Sequence, residues 1–387
     1  MSHLAVISEL ELGSHKAHAI NVIKTAGGFA RLGHTVTLLC RPPRWAVRDG
    51  LKVDPAPLLE QYAEPGLRVE LQPFGWSDDE AGSLLTGRWA AQRARDLGVD
   101  AVFARHFAGA LESLSRGLPT VMETHAYVGV VKPILDECLA ATWRGLAVST
   151  ISPRLRDHYI ARGGDPARIH IVPDGVDLSL FSPAPSESPF EGRGPHVVYC
   201  GHLYDYKGIP TVLGAAALGA RGQKKDGWWF HLVGGTHEDQ TRLRAAIAFD
   251  HISNVSIHGH VPHREVPPHL WHADVLLLPP SAKDPSANWT SPVKLGEYLA
   301  SGKPVVASAI AGLRDWVDAP AVRWFEPDDA GSLRGAIAAA LAETREEAQA
   351  RRAAASVLAQ QFSYPNRARR ILEALAPDTR MPLPRAA

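Results

Sequence analysis

Between Asn288 and Ser308 the chain reads Asn-Trp-Thr-Ser-Pro-Val-Lys-Leu-Gly-Glu-Tyr-Leu-Ala-Ser-Gly-Lys-Pro-Val-Val-Ala-Ser. These residue types at this spacing suit a diphosphate and a pair of sugar hydroxyls. Thr290 and Ser291 are helix-capping types, and Pro292 suits a first helical turn. A helix starting at Val293 would present unpaired N–H groups and a positive dipole end to an anion. Lys294 would add charge there, and Glu297, further along, could accept from both hydroxyls of a ribose. A second group is Tyr199-Cys-Gly-His-Leu-Tyr-Asp-Tyr-Lys-Gly208. Gly201 permits close backbone approach, while His202 and Lys207 are cationic candidates to face a departing phosphate.

Such groups work only where elements place them, and alternating β/α folds bind ligands at the carboxyl ends of parallel strands. The sequence predicts that arrangement twice. In the first half, His3–Ser8 reads as a strand, Ala19–Leu32 as a helix ended by Gly33, and Thr35–Cys40 as a second strand, which makes a βαβ unit and a parallel sheet. Further strands are expected at Ala101–Ala104, Thr120–Glu123 and Leu146–Ser149, with Arg105-His106 and His125 just past two of them. The second half restarts at His196–Cys200 and continues through strands at Trp229–Val233, Val255–His258, Val275–Leu278 and Pro304–Ser308. The Pro- and Ser-rich stretch around Phe181–Pro189 reads as the linker. The expected division is 1–183, 184–364, and a final helix and tail over 365–387.

Composition sets the outer limits. The 387 residues suffice for two or three domains, and 45% hydrophobic with 21% charged residues is an ordinary globular mix. Forty-one basic residues balance 41 acidic ones, so no basic surplus points to nucleic acid. Cys40, Cys138 and Cys200 form no CxxC pair, which disfavours a disulfide framework or a zinc site. No window offers the ~20 apolar residues of a spanning helix. A cytoplasmic protein, soluble or peripheral to a membrane, is expected. Arg41, Arg44 and Arg48 around Trp45 hint at a lipid-surface contact, with a solvated loop as the plainer reading. Asp78-Asp79-Glu80 reads as a surface loop, not a metal-binding pair.

The two groups resemble the donor site of family 4 retaining glycosyltransferases of the group 1 superfamily, which share the GT-B fold. Gly201…Lys207-Gly208 matches the family's Gly-Arg-Leu…Glu-Lys-Gly segment, and Glu297…Gly302-Lys-Pro-Val-Val-Ala307 its Glu-x7-Glu segment and sequel. Val172–Pro183, Trp229–Gly235 and Val255–Val261 match in order as well. The resemblance implies an α/β protein with two facing Rossmann-like domains, a central cleft, and a C-terminal helix crossing back to the first domain. It implies Gly235 and Val261 near the bound nucleotide, and a Gly13-Ser14-His15…His18 loop over the phosphates and beside the acceptor. It also puts His125 near the transferred sugar, with Arg105 able to line the acceptor side. Two positions depart from the pattern. His202 stands where the family carries Arg, and Trp289 where it carries the first Glu.

The expected reaction is transfer of a hexose from a UDP- or GDP-linked sugar to a hydroxyl acceptor, with retention and without a metal or other cofactor. The alternatives are a nucleotide-sugar epimerase and a non-catalytic nucleotide-sugar binder. A nicotinamide oxidoreductase is disfavoured, because no Gly-x-Gly-x-x-Gly follows the first strand of either half. Acceptor, sugar, nucleotide and oligomeric state are not legible in the sequence.

Overall fold

The computed structural model describes residues 2–64, 66–125, 146–181, 187–192, 194–221, 227–291, 293–317 and 320–375. Pro292, which the sequence places at the helix start, and Cys138 lie outside them. The chain forms two compact units, Met1–Gly175 with Ser363–Ala387, and Val176–Phe362.

The first unit contains β1 (His3–Glu11), α1 (Ala17–Arg31), β2 (Thr35–Arg41), α2 (Arg44–Asp49), α3 (Pro55–Glu60), β3 (Arg68–Leu71), α4 (Glu80–Asp96), β4 (Ala101–Arg105), α5 (Phe107–Ser115), β5 (Thr120–Thr124), β6 (Leu146–Thr150), α6 (Pro153–Ala161) and β7 (Ile169–Ile171). Its parallel sheet runs β3-β2-β1-β4-β5-β6-β7, so the order reverses between β1 and β4. Burial explains the sequence pattern. Along β1, Leu4 to Ile7 are all sealed from solvent, because helices cover both faces of a parallel sheet. Asp78 and Asp79 lie in an exposed bend, as the sequence suggests, and the Asp79 carboxylate accepts from the Gly82 amide and caps α4. Arg41 is not a surface cation either. It is 2% exposed, lies over the Trp76 ring and reaches Glu9 at 3.8 Å. Arg44 also lies over Trp76 and pairs with Asp78.

The second unit contains β8 (His196–Cys200), α7 (Ile209–Arg221), β9 (Trp229–Val233), α8 (His237–Phe249), β10 (Val255–Gly259), α9 (Val266–Trp271), β11 (Val275–Leu278), α10 (Val293–Ser301), β12 (Val305–Ser308), α11 (Ala311–Arg314), β13 (Arg323–Phe325), α12 (Ala330–Leu341) and α13 (Arg345–Gln361). Its order, β10-β9-β8-β11-β12-β13, has the same reversal, between β8 and β11. Capping boxes start α8 (Thr236 with Asp239) and α13 (Thr344 with Glu347).

The boundary differs from the expected 183/184. Val176 is in the second unit's core, and Leu178 and Phe181 pack against it, so apolar burial draws these residues across before the Pro/Ser-rich stretch begins. The last helix, α14 (Tyr364–Leu375), belongs to the first unit: Ala368, Ile371 and Ala374 are part of its core.

Candidate functional site

In the second unit the sequence-predicted residues gather past β8 and at the start of α10. Gly201 has φ +143, and a Cβ there would strike the end of Lys294. The lysine thus lies against bare backbone. Its Nζ donates to Tyr199 Oη at 2.7 Å, and Tyr199 Oη donates to the His202 carbonyl at 2.6 Å. Tyr298, from α10, holds the same turn by accepting the Cys200 amide at 2.9 Å. Lys207 ends a 3-10 turn, Asp205–Lys207, and lies over the Tyr206 ring. Gly208 follows at φ +82, and a Cβ there would collide with the Pro279 carbonyl. Only glycine therefore lets this turn seat against the end of β11.

The electrostatics of this edge follow from burial. Burial pushes the Lys294 ammonium down, and the nearby Lys207 adds repulsion; together they bring it to about 7. Lys207 is pushed down by burial too, against the pull of Asp284. Neither lysine has a carboxylate within ion-pair distance among the described residues. His202 is pushed below its ordinary range by burial, then by Lys294 and Lys207. In the unliganded chain it is therefore a neutral ring, stacked on Tyr204 at 5.1 Å, and the positive charge of the turn rests on the two lysines.

Glu297 lies buried on α10, and its Oε1 accepts from His263 Nε2 at 2.6 Å. Sequence reasoning missed His263; its only signal was a place two residues past Val261. Val261 packs against the core, and Gly235 packs beside Leu203 just past β9. Thr290 and Ser291 lead into Val293, with the Thr290 amide bonded back to the Ser286 carbonyl at 2.9 Å. Asn288 closes the 3-10 turn before them, and Trp289 is buried beside Gly312. A cavity of about 500 Å³, lined by Tyr206, Pro210, Thr211, Lys283, Asp284 and Asp328 among others, lies next to Lys207 and does not include Lys294 or Glu297.

In the first unit, three of the expected residues meet at the strand reversal. Ser8 and Arg105 are register partners on β1 and β4, and Ser8 Oγ holds His18 Nε2 at 3.2 Å. His125 Nε2 donates to Glu123 Oε1 at 2.8 Å, and Arg105 Nε lies 3.9 Å from the same oxygen. Glu123, missed as a site residue, is 2% exposed; its second oxygen accepts from Arg367 of α14. Burial raises the Glu123 carboxyl, but Arg367, His125 and Arg105 outweigh it and keep the group ionised. The rest of the expected loop makes local contacts. Gly13 packs against Leu58 of α3, the Ser14 carbonyl accepts from Tyr62 at 2.7 Å, and His15 is exposed.

Comparison with known proteins identifies the family and the fold. The profile described as Glycosyltransferase Family 4 matches residues 20–180, and that described as Glycosyl transferases group 1 matches residues 194–343. A D-inositol 3-phosphate glycosyltransferase of Catenulispora acidiphila is 28% identical over 78% of this chain and 76% of its own length. A putative colanic acid biosynthesis glycosyltransferase, WcaL of Escherichia coli, is 31% identical over 43% of this chain and 40% of its own. Among solved structures, a Rickettsia africae glycosyltransferase superposes with TM-score 0.73 at 17% identity, covering 96% of this chain and 97% of that one. Anabaena HepE in complex with UDP gives 0.71 at 18% identity, covering 97% and 100%. The chain thus has the GT-B fold and belongs to the family 4, group 1 glycosyltransferases.

Proposed function

We propose that the chain transfers a hexose from a UDP- or GDP-linked sugar to a hydroxyl acceptor, with retention of anomeric configuration and without a metal ion. The observation that carries this reading is the pair Lys207 and Lys294, both half-buried and without a carboxylate within ion-pair distance among the described residues, with Lys294 against Gly201 and Lys207 near enough to repel it. Two such ammonium groups repel each other until an anion of matching charge arrives, and a diphosphate supplies it. As the sugar–phosphate bond breaks, charge grows on the leaving oxygen, and preorganised cations stabilise it most at that moment. The departing phosphate takes the proton of the attacking hydroxyl on the same face, which leaves the configuration retained. Glu297, oriented by His263, suits the ribose hydroxyls. HepE, solved with UDP-glucose, supports the uridine option, and the D-inositol 3-phosphate glycosyltransferases support a polyol acceptor.

The test is a matrix of UDP- and GDP-sugars against hydroxyl acceptors, D-inositol 3-phosphate included, with diphosphate release and product configuration read out. Lys207→Ala should lower kcat roughly 10²–10³-fold with intact nucleoside binding, and EDTA should leave the rate unchanged. Absence of diphosphate release from every pair would overturn transfer. An inverted product would overturn retention, and loss of activity in EDTA would overturn metal independence.

A further inference from the structure

The first unit holds a guanidinium whose one ion-pair contact among the described residues is long. Arg105 ends β4, and its side chain is 17% exposed. Among the described residues it makes no side-chain hydrogen bond, only the 3.9 Å contact with Glu123. That carboxylate also accepts from His125 on one oxygen and from Arg367 on the other, so Arg105 shares it with two closer partners. The other acids nearby are also engaged: Asp174 accepts from Asn21 at 2.6 Å, and Glu9 lies 2.6 Å from His106. An arginine offers five N–H donors in a planar fork that matches a phosphate, and Arg105 spends none of them on a side-chain hydrogen bond among the described residues.

Its place in the fold is equally specific. The strand order reverses between β1 and β4, and at such a reversal the flanking helices leave a crevice beyond the carboxyl ends of the strands. Arg105 ends β4 beside Ser8 of β1, and Ser8 holds His18 of α1, so both side chains belong to this edge. His18 Nδ1 makes no hydrogen bond among the described residues. Both helices that follow, α1 and α5, begin without a side-chain cap, which leaves positive dipole ends at the same edge. Burial pushes His18 down to about 3, and Arg105 and His125 push the same way against the pull of Glu123 and Glu9.

We propose that Arg105, with His18 beside it, binds a phosphate carried by the acceptor, so that the enzyme glycosylates a hydroxyl of a phosphorylated molecule. The inference rests on the transferase reading only in calling this ligand the acceptor; the anion site itself stands on the geometry of the first unit. A phosphate could instead arrive on the nucleotide donor, and the experiment separates the two.

Whole-chain protein is saturated with UDP to occupy Lys207 and Lys294, and inorganic phosphate, then glucose 6-phosphate against glucose, is titrated calorimetrically. Wild type should bind phosphate and glucose 6-phosphate, and glucose at least about tenfold more weakly, as expected of a charge-assisted fork. Arg105→Gln should lose about tenfold in affinity for both phosphates and keep its UDP affinity, while Arg105→Lys should recover part of the loss. Retained UDP affinity also reports that the variant is folded. Phosphate binding indifferent to Arg105→Gln, or absent from wild type, would overturn the site. Loss of UDP affinity in folded Arg105→Gln would assign the arginine to the donor and overturn the acceptor role. None of these readouts needs turnover, so failure of the proposed reaction remains distinguishable from failure of the anion site.

Discussion

At the scale of single residues, Lys294 links burial to ligand binding. Its ammonium titrates near 7 because burial and Lys207 both disfavour the charge. A bound diphosphate reverses that preference and raises the value, so binding takes up a proton. The sign follows: affinity for UDP is highest below pH 7, where Lys294 is already charged, and falls as pH rises above it. The fall should approach about tenfold per unit until the bound-state value is passed. Titration calorimetry between pH 6 and 9 checks this, and Lys294→Arg, which stays charged throughout, should flatten the profile. An equally steep profile in the arginine variant would remove Lys294 as its source. His202 stands where the family has Arg, and with a neutral ring in the free chain it leaves more of the phosphate charge to these lysines.

At the scale of elements, three strands of the second sheet are joined by imidazoles. His196 of β8 bonds His231 of β9 at 3.0 Å, and His231 bonds His258 of β10 at 2.8 Å. Phe190 stacks on His231 at 4.2 Å, and His269 of α9 approaches Phe190 and His258. Each ring–ring bond needs one proton. The row tolerates one extra proton, but a second leaves two N–H groups facing each other. Burial pushes His231 down to about 3, with His258 and His196 adding to it, and burial lowers His258 and His269 as well. The unfolded chain binds protons near 6.5 that the folded row refuses. The stability held by His231 is therefore full above pH 6.5 and drains as pH falls toward 3, by about 1.4 kcal/mol per unit for its one excluded proton. Urea denaturation from pH 7.5 to 4.5 should show this slope, reduced in His231→Phe. Equal slopes in both proteins would show that the row is not its cause.

At the scale of the whole molecule, the first unit is built from two distant pieces of chain. Arg367 of α14 is 1% exposed and binds four partners in the other piece: Glu123, Thr25 at 3.1 Å, the Val172 carbonyl at 3.0 Å and the Pro173 carbonyl. Removing one side of a buried ion pair leaves the other charge uncompensated. Arg367→Ala should thus cost the first unit about 3–5 kcal/mol, with Glu123 next to an empty space. Hydrogen exchange should report the loss in β5 and α1 and leave β8 and β9 protected. A cost below about 1 kcal/mol would mean that apolar packing of Ala368, Ile371 and Ala374 alone closes the unit.

The sequence alone determined what depends on local order. Hydrophobic runs punctuated by Gly and Pro marked the β/α alternation, and Gly201, Lys207-Gly208, Lys294 and Glu297 were legible because their spacing along one stretch fixes their places after a strand or on a helix. Only the tertiary structure decided what depends on neighbours distant in sequence. His263 meets Glu297 across 34 positions, Arg367 meets Glu123 across 244, and the histidine row joins three strands. Strand length carried little signal for β3, β7 and β13, which are four, three and three residues long. The boundary moved to Gly175 because burial of Val176, a matter of packing and not of composition, decides where one core ends. Side-chain type can propose a charge, but whether His202 is a cation or a neutral ring is set by the charges and solvent around it.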